Sequence, residues 1–256
     1  MTALVIGIGL VIGALVGLLG GGGSILAVPA LVYLAGQDLQ QAVATSLLVV
    51  GITAVVALLP RLRERQISWR IGLLFGLAGT VTAFAGAAVN RALPESVTLA
   101  LFATLMAVAG VRMLQEKPAT GTACAIDGGR VNWRRCVPRT LAGGLVVGFL
   151  TGLLGVGGGF LIIPVLVTAL GLSMATAIGT SLVIVAINSA AGFAAHAGDV
   201  SLDVGVTVAF TAAAVLAALG AGRLGARTEG TRLRRWFAWL VLALSALIAG
   251  QLALGL

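Results

Sequence analysis

Apolar residues fill ten stretches of this chain, at about 2–20, 25–36, 41–59, 69–90 and 95–113, then at about 139–155, 160–171, 174–195, 202–222 and 235–254. Short polar loops separate them, and one longer polar loop divides the two groups of five. A helix that crosses a bilayer needs about 20 apolar residues. Eight stretches are close to that length, whereas 25–36 and 160–171 are too short to cross in the usual way. The pattern predicts an all-α polytopic membrane protein with about eight full transmembrane helices and two short broken or re-entrant helices.

The two groups of five are copies. GLLGGGGSILAVP runs from Gly17 to Pro29, and GLLGVGGGFLIIP runs from Gly152 to Pro164, 135 residues later. Without a gap, Gly36 then matches Gly171, and Thr45-Ser46-Leu47 matches Thr180-Ser181-Leu182. About half the positions from 17 to 47 are identical to their counterparts, which marks an internal duplication. This divides the chain into a first transmembrane repeat at 1–114, a linker at 115–138 and a second repeat at 139–256.

Charge orients the copies. Arg61, Arg63, Arg65 and Arg70 surround the loop near 60–70, while the matching loop of the second copy holds His196, Asp199 and Asp203 and no Arg or Lys. The loop near 91–95 has one Arg and one Glu. Its counterpart has Arg223, Arg227, Arg232, Arg234 and Arg235. The stretch 112–139 is also rich in basic residues, with Arg112, Lys117, Arg130, Arg134, Arg135 and Arg139. The positive-inside rule then places 60–70, 112–139 and 223–235 in the cytoplasm. Equivalent loops fall on opposite faces, so the repeats are expected to be inverted, in the cell (inner or plasma) membrane, with both termini non-cytoplasmic. No Lys or Arg precedes Arg61, so the first apolar stretch lacks the basic start of a cleavable signal and is read as mature structure.

The glycine runs carry the candidate chemistry. A helix over 25–36 is about 18 Å long, against a hydrocarbon core of about 30 Å. With its C-terminal end at the outer surface, its N-terminal end lies near the membrane middle, directly after the glycines. The inverted copy brings helix 160–171 to the middle from the other side. A helix N-terminus leaves up to four N–H groups without internal partners and carries about half a positive charge. Glycine admits close approach and positive φ. Two such turns at a repeat interface make an anion cradle with alternating access.

The candidate substrate-binding residues are Gly20, Gly21, Gly22, Gly23 and Ser24 in the first copy and Gly155, Gly157, Gly158 and Gly159 in the second. Thr45, Ser46, Thr180, Ser181 and Asn188 are expected to line or brace the cavity. The alternative for the hydroxyls is local bonding to helix carbonyls. For the glycines it is helix packing, the role expected of the pairs Gly13 and Gly17, Gly72 and Gly76, and Gly144 and Gly148. Neither run continues into Gly-Lys-Ser/Thr, which excludes a phosphate-binding P-loop.

Composition removes other classes. Only 9% of residues are charged, where soluble domains are near a quarter, and the mean hydropathy is +1.13. The net charge of +8 sits in loop arginines without interleaved aromatics, so it sets topology and implies no nucleic acid. One histidine, His196, and two cysteines, Cys124 and Cys136, outside any CxxC pair give no metal site. No cofactor and no enzymatic reaction are expected. The expected partners are a small anionic substrate and the lipid bilayer, with homo-oligomerisation left open.

The doubled glycine motif, the ATSL and GTSL runs at 44–47 and 179–182, and NSAAGFAAHAGDVSLD from Asn188 to Asp203 resemble the sulfite exporter TauE/SafE family over nearly the whole chain. The resemblance implies a permease of about eight helices for sulfite, sulfonates or related organosulfur anions. Ser24 stands where the motif has its last glycine, and is read as a helix N-cap. No ionisable residue lies clearly mid-span, which favours export without a proton relay. A potential of about 100 mV, negative inside, contributes about 2.3 kcal/mol per charge, roughly a fifty-fold outward gradient. Coupled uptake of a small organic acid anion, and a membrane assembly or redox protein, are the alternatives.

Overall fold

The computed structural model describes residues 2–21, 24–33, 36–64, 66–90, 92–115, 124, 133–154, 159–196, 203–227 and 229–254. Among these there is no strand. The helices are α1 (Thr2–Leu19), α2 (Ser24–Tyr33), α3 (Leu39–Arg63), α4 (Trp69–Asn90), α5 (Glu95–Gln115), α6 (Trp133–Leu154), α7 (Gly159–Thr168), α8 (Met174–His196), α9 (Val204–Arg227) and α10 (Gly230–Leu254). The duplication is visible in their starts: 24 and 159, 39 and 174, 69 and 204, 95 and 230 share the offset of 135.

Local signals repeat as well. Gly36 and Gly171, with φ of +68° and +70°, follow the two short helices in the left-handed conformation that only glycine adopts at little cost. Behind each, the same hydrogen bond closes the helix end: Gln37 N–H to Leu31 O (3.2 Å) and Leu172 N–H to Leu166 O (3.0 Å). At the start of α3, the Asp38 carboxylate accepts from Gln41 N–H at 3.0 Å, an N-cap.

The repeats interlock. α1 packs along α9 and α4 along α6, so the first helix of each copy lies on the fourth of the other. Both pairs run parallel: Gly9, Gly13 and Gly17 meet Ala213, Ala214 and Ala218 in order, and Phe75, Gly79 and Ala83 meet Gly144, Gly148 and Gly152. The counterparts α3 and α8 run antiparallel, with Leu47 against Gly192 and Gly51 against Ser189. So do α5 and α10: Ser245 Oγ donates to Ala103 O at 2.8 Å, while Gly110 lies against Leu242.

Between lipid-immersed helices the hydrophobic effect adds little, and close van der Waals contact of small residues does the work. A methyl group on Gly13 would overlap the Ala214 carbonyl, and one on Gly148 would overlap the backbone of Gly79. Gly72 and Gly76 lie against Val183 and Ile187 of α8. All the expected packing pairs are thus in helix contacts. The outward faces are apolar, as at Leu77, Val81 and Phe84 of α4, Val208 and Leu216 of α9, and Trp236 and Trp239 of α10. That is the reverse of a water-soluble bundle and fits an acyl-chain environment.

Among the described residues, six helices are long and apolar enough to cross a membrane: α3, α4, α6, α8, α9 and α10. α1 and α5 contribute the shorter apolar stretches Ile6–Leu19 and Ala100–Gln115. The protein is a multi-pass membrane protein.

Two local features differ from expectation, and a third adds to it. α3 continues through Pro60 to Arg63 instead of ending at 59. Proline forfeits one hydrogen bond, which membrane helices tolerate when packing compensates. α6 starts at Trp133 and not at 139, because its charged first turns are held by packing: the Arg70 guanidinium lies 5.2 Å from the Trp133 ring centroid. Finally, Cys124 and Cys136 are joined in a disulfide, with Cα atoms 4.9 Å apart.

Candidate functional site

α1 ends where Gly20 N–H closes onto Val16 O at 2.8 Å. Gly20 and Gly21 then take φ of +66° and +113°, values that side chains oppose, and α2 opens at Ser24. The turn is held by α8. The Ser181 hydroxyl, with no exposed surface, donates toward Gly20 O at 2.6 Å and toward Ile178 O at 2.8 Å. Val185, one turn further along α8, covers Gly21.

Gly159, the first residue of α7, faces this turn. A methyl group on Gly159 would overlap the Gly21 carbonyl, and one on Gly21 would come within 3.6 Å of Gly159 Cα. The first glycine run therefore meets the N-terminus of the second short helix, backbone against backbone. A side chain at either position would separate them.

The other sequence-predicted residues divide into two groups. Gly22, Gly23, Gly155, Gly157 and Gly158 lie outside the described residues, as does the side chain of Ser24. Thr45, Ser46, Thr180 and Asn188 are placed, but not around Gly21. Ser46 Oγ donates to Val43 O within its own helix at 2.8 Å. Thr45 Oγ1 is buried with no hydrogen-bond partner, as is Thr53 Oγ1 further along α3. Thr180 Oγ1 accepts from Ser68 N–H at 3.1 Å, tying α8 to the turn after α3. Asn188 sits on the same side of α8 as Ser181, seven residues on, but its Oδ1 accepts from Thr80 Oγ1 of α4 at 3.0 Å. Of these, Ser181 alone reaches the glycine turn.

Sequence reasoning missed Arg61. As a loop arginine it marks topology. In the structure it lies in the last turn of α3 with no exposed surface. Its Nη2 points to Gly17 O at 3.4 Å and its Nη1 to Gln66 Oε1 at 3.3 Å, while Nε has no partner. Near the end of α6 a carbonyl is served differently: Asn90 Nδ2 donates to the O of Leu153, the counterpart of Leu18, at 2.6 Å. The signal for Arg61 was its setting, between Pro60 and Leu62 in an otherwise apolar run.

Among the described residues no three His, Cys, Asp or Glu lie together. A cavity of about 320 Å³ between α3 and α8 is lined by Leu47, Gly51, Val55 and Phe193 and is almost wholly apolar. It offers an anion nothing. The arrangement with chemistry in it is the meeting of the first glycine turn with the start of α7, with a buried guanidinium one turn back along α1.

Comparison with known proteins agrees on the class. The family model described as "Sulfite exporter TauE/SafE" matches residues 5–248. A "Probable membrane transporter protein" of Xylella fastidiosa strain Temecula1 is 36% identical over 181 residues, which is 70% of this chain and 68% of that protein. "Probable membrane transporter protein YunE" of Bacillus subtilis is 28% identical over 208 residues, 74% of this chain and 76% of that protein. No solved structure matches the chain at a significant level.

Proposed function

The chain belongs to the sulfite exporter TauE/SafE family, and from that membership we propose that it exports a small anion, a sulfite, a sulfonate or a related organosulfur compound. The observation that carries the proposal is the contact of Gly21 with Gly159, which brings the openings of α2 and α7 together. Each opening supplies N–H groups without intrahelical partners and the positive end of a helix dipole. An oxyanion bound beside this contact accepts from backbone donors of both copies.

The antiparallel packing of α3 on α8 and of α5 on α10 supports inverted repeats. In that arrangement the two short helices enter from opposite faces and the anion is bound near the midplane. Rocking one repeat against the other then exposes the site to each side in turn. α1 and α5 complete a count of eight crossing helices. Labelling of single cysteines tests the topology: positions 65 and 199 should react from opposite faces, and reaction from one face ends the inverted reading.

Flux tests the function. Protein reconstituted into proteoliposomes loaded with sulfite or methanesulfonate should release the anion under a potential negative inside, faster than protein-free vesicles. A rate equal to that of empty vesicles contradicts transport, and release only in exchange for an external cation or proton points to coupled movement instead.

A further inference from the structure

We propose that Arg61 is an anion-contacting residue of the translocation path, which pairs with the anion on the α3 side of the first glycine turn; this rests on the anion-transport reading above. Arg61 is the fully buried charge among the described residues, and the ion pair found among them lies elsewhere, between Arg232 and Glu229. A charge taken out of water is costly unless it is paired and fully hydrogen-bonded. Arg61 is neither. Its two contacts, at 3.4 and 3.3 Å, lie beyond the usual range for such bonds, and Nε donates to nothing. Glu64 lies near enough for its charge to act on Arg61 but makes no ion-pair contact with it, and its Oε2 accepts from Gln66 Nε2 at 2.7 Å. Buried ionisable groups in membrane helices are retained where they act on a solute.

The duplication shows that holding the helix end does not require a charge. Position 225 corresponds to Asn90 by the 135-residue offset. At the end of α6 the Asn90 amide of α4, a neutral group, binds the Leu153 carbonyl at 2.6 Å. At the end of α1 the facing helix, α9, carries Gly225 instead, where a methyl group would come within 3.3 Å of Arg61 Nη2. Gly222, one turn earlier, faces Gly17 O and Pro60. The guanidinium occupies the room that these missing side chains leave, three residues along α1 from Gly20. Replacing a well-formed neutral cap by a loosely bonded cation makes sense where an anion completes the pairing, through Nε and one Nη in the fork geometry that oxyanions accept.

The test is thermal stabilisation of the purified full-length protein by methanesulfonate, an anion that does not attack disulfides. Wild type should be stabilised in a saturable way, and Arg61→Lys should keep most of the affinity. Arg61→Gln, which keeps a donor toward Gly17 O without the charge, should bind about tenfold more weakly. If Arg61→Gln folds poorly, the double variant Arg61→Gln/Gly225→Asn rebuilds the cap used at Asn90, and should fold but still bind weakly. Wild-type affinity in either folded neutral variant overturns the proposal. So does failure of both to fold while Arg61→Lys folds normally, because the charge is then structural. Flux and stabilisation absent from wild type would end the anion reading and this inference together, whereas wild-type binding with an unaffected Arg61→Gln ends this inference alone.

Discussion

α3 and α8 began as the same helix, yet they hold their hydroxyls differently. On α8, Ser181 reaches Gly20 O, Thr180 receives Ser68 N–H and Asn188 receives Thr80. On α3, Ser46 bonds its own helix, and Thr45 and Thr53 bond nothing. α8 is thus the brace that fixes the first glycine turn and the turn after α3, whereas α3 carries buried hydroxyls with capacity to spare. A duplicated chain can divide its labour in this way: one copy supplies rigidity and the other keeps polar groups free to change partners as a solute passes.

The largest effect should come from what the halves still share. Gly13 and Gly148 are counterparts, and each faces backbone that cannot retreat. Gly13→Val and Gly148→Val should each cost about 3 kcal/mol or more, seen as collapsed yield of monodisperse detergent-solubilised protein. Normal yield from one alone would show that the repeats pack less symmetrically than their backbones imply.

Ser181→Ala comes next. It strips the buried Gly20 carbonyl of its donor and should cost about 1–2 kcal/mol, while Ser46→Ala should stay within about 0.5 kcal/mol. Thermal unfolding in detergent reads both. Equal losses would mean that Ser46 holds Gly155 as Ser181 holds Gly20, which erases the contrast. A smaller difference is expected one residue back. Thr180→Val orphans Ser68 N–H and should cost about 1 kcal/mol, whereas Thr45→Val removes a hydroxyl with no partner and should be neutral or slightly stabilising. Weaker methanesulfonate binding by Thr45→Val, at unchanged stability, would place that hydroxyl on the solute path.

The smallest effect belongs to the disulfide. Replacing Cys124 and Cys136 with serine should leave flux unchanged. Their redox state also reports orientation, because the cytosol keeps thiols reduced. The arginine distribution predicts that both react with a membrane-permeant thiol reagent in growing cells. A bond that persists there would move the linker to the oxidising face and reverse the topology.

Much of this architecture could be read from the chain. The ten apolar stretches became ten helices, and the two short ones have ten residues each. The motif glycines stand where α1 gives way to α2 and α6 to α7, because a run of adjacent glycines both ends a helix and admits a close neighbour. What the pattern hid were facts of tertiary contact. Arg61 reads as a loop charge because a proline precedes it, and its burial depends on Gly17 and Gly225, residues 44 and 164 positions away. Thr180 and Asn188 looked like candidate ligands because composition cannot show that Ser68 and Thr80 already occupy them. The helix extension at Trp133 was masked by its arginines, whose stacking partner comes from α4.

If the two glycine runs bind the anion rather than merely packing helices, Gly22→Val and Gly157→Val are the decisive substitutions. Each variant is purified, its folded yield is recorded, and methanesulfonate stabilisation is titrated beside wild type and Gly72→Val as a packing control. The two motif variants should insert and fold but lose anion stabilisation, while Gly72→Val should lose stability and, in the fraction that folds, still bind. Folded Gly22→Val and Gly157→Val proteins that bind methanesulfonate with wild-type affinity would contradict it, and would leave the glycines as a packing device alone.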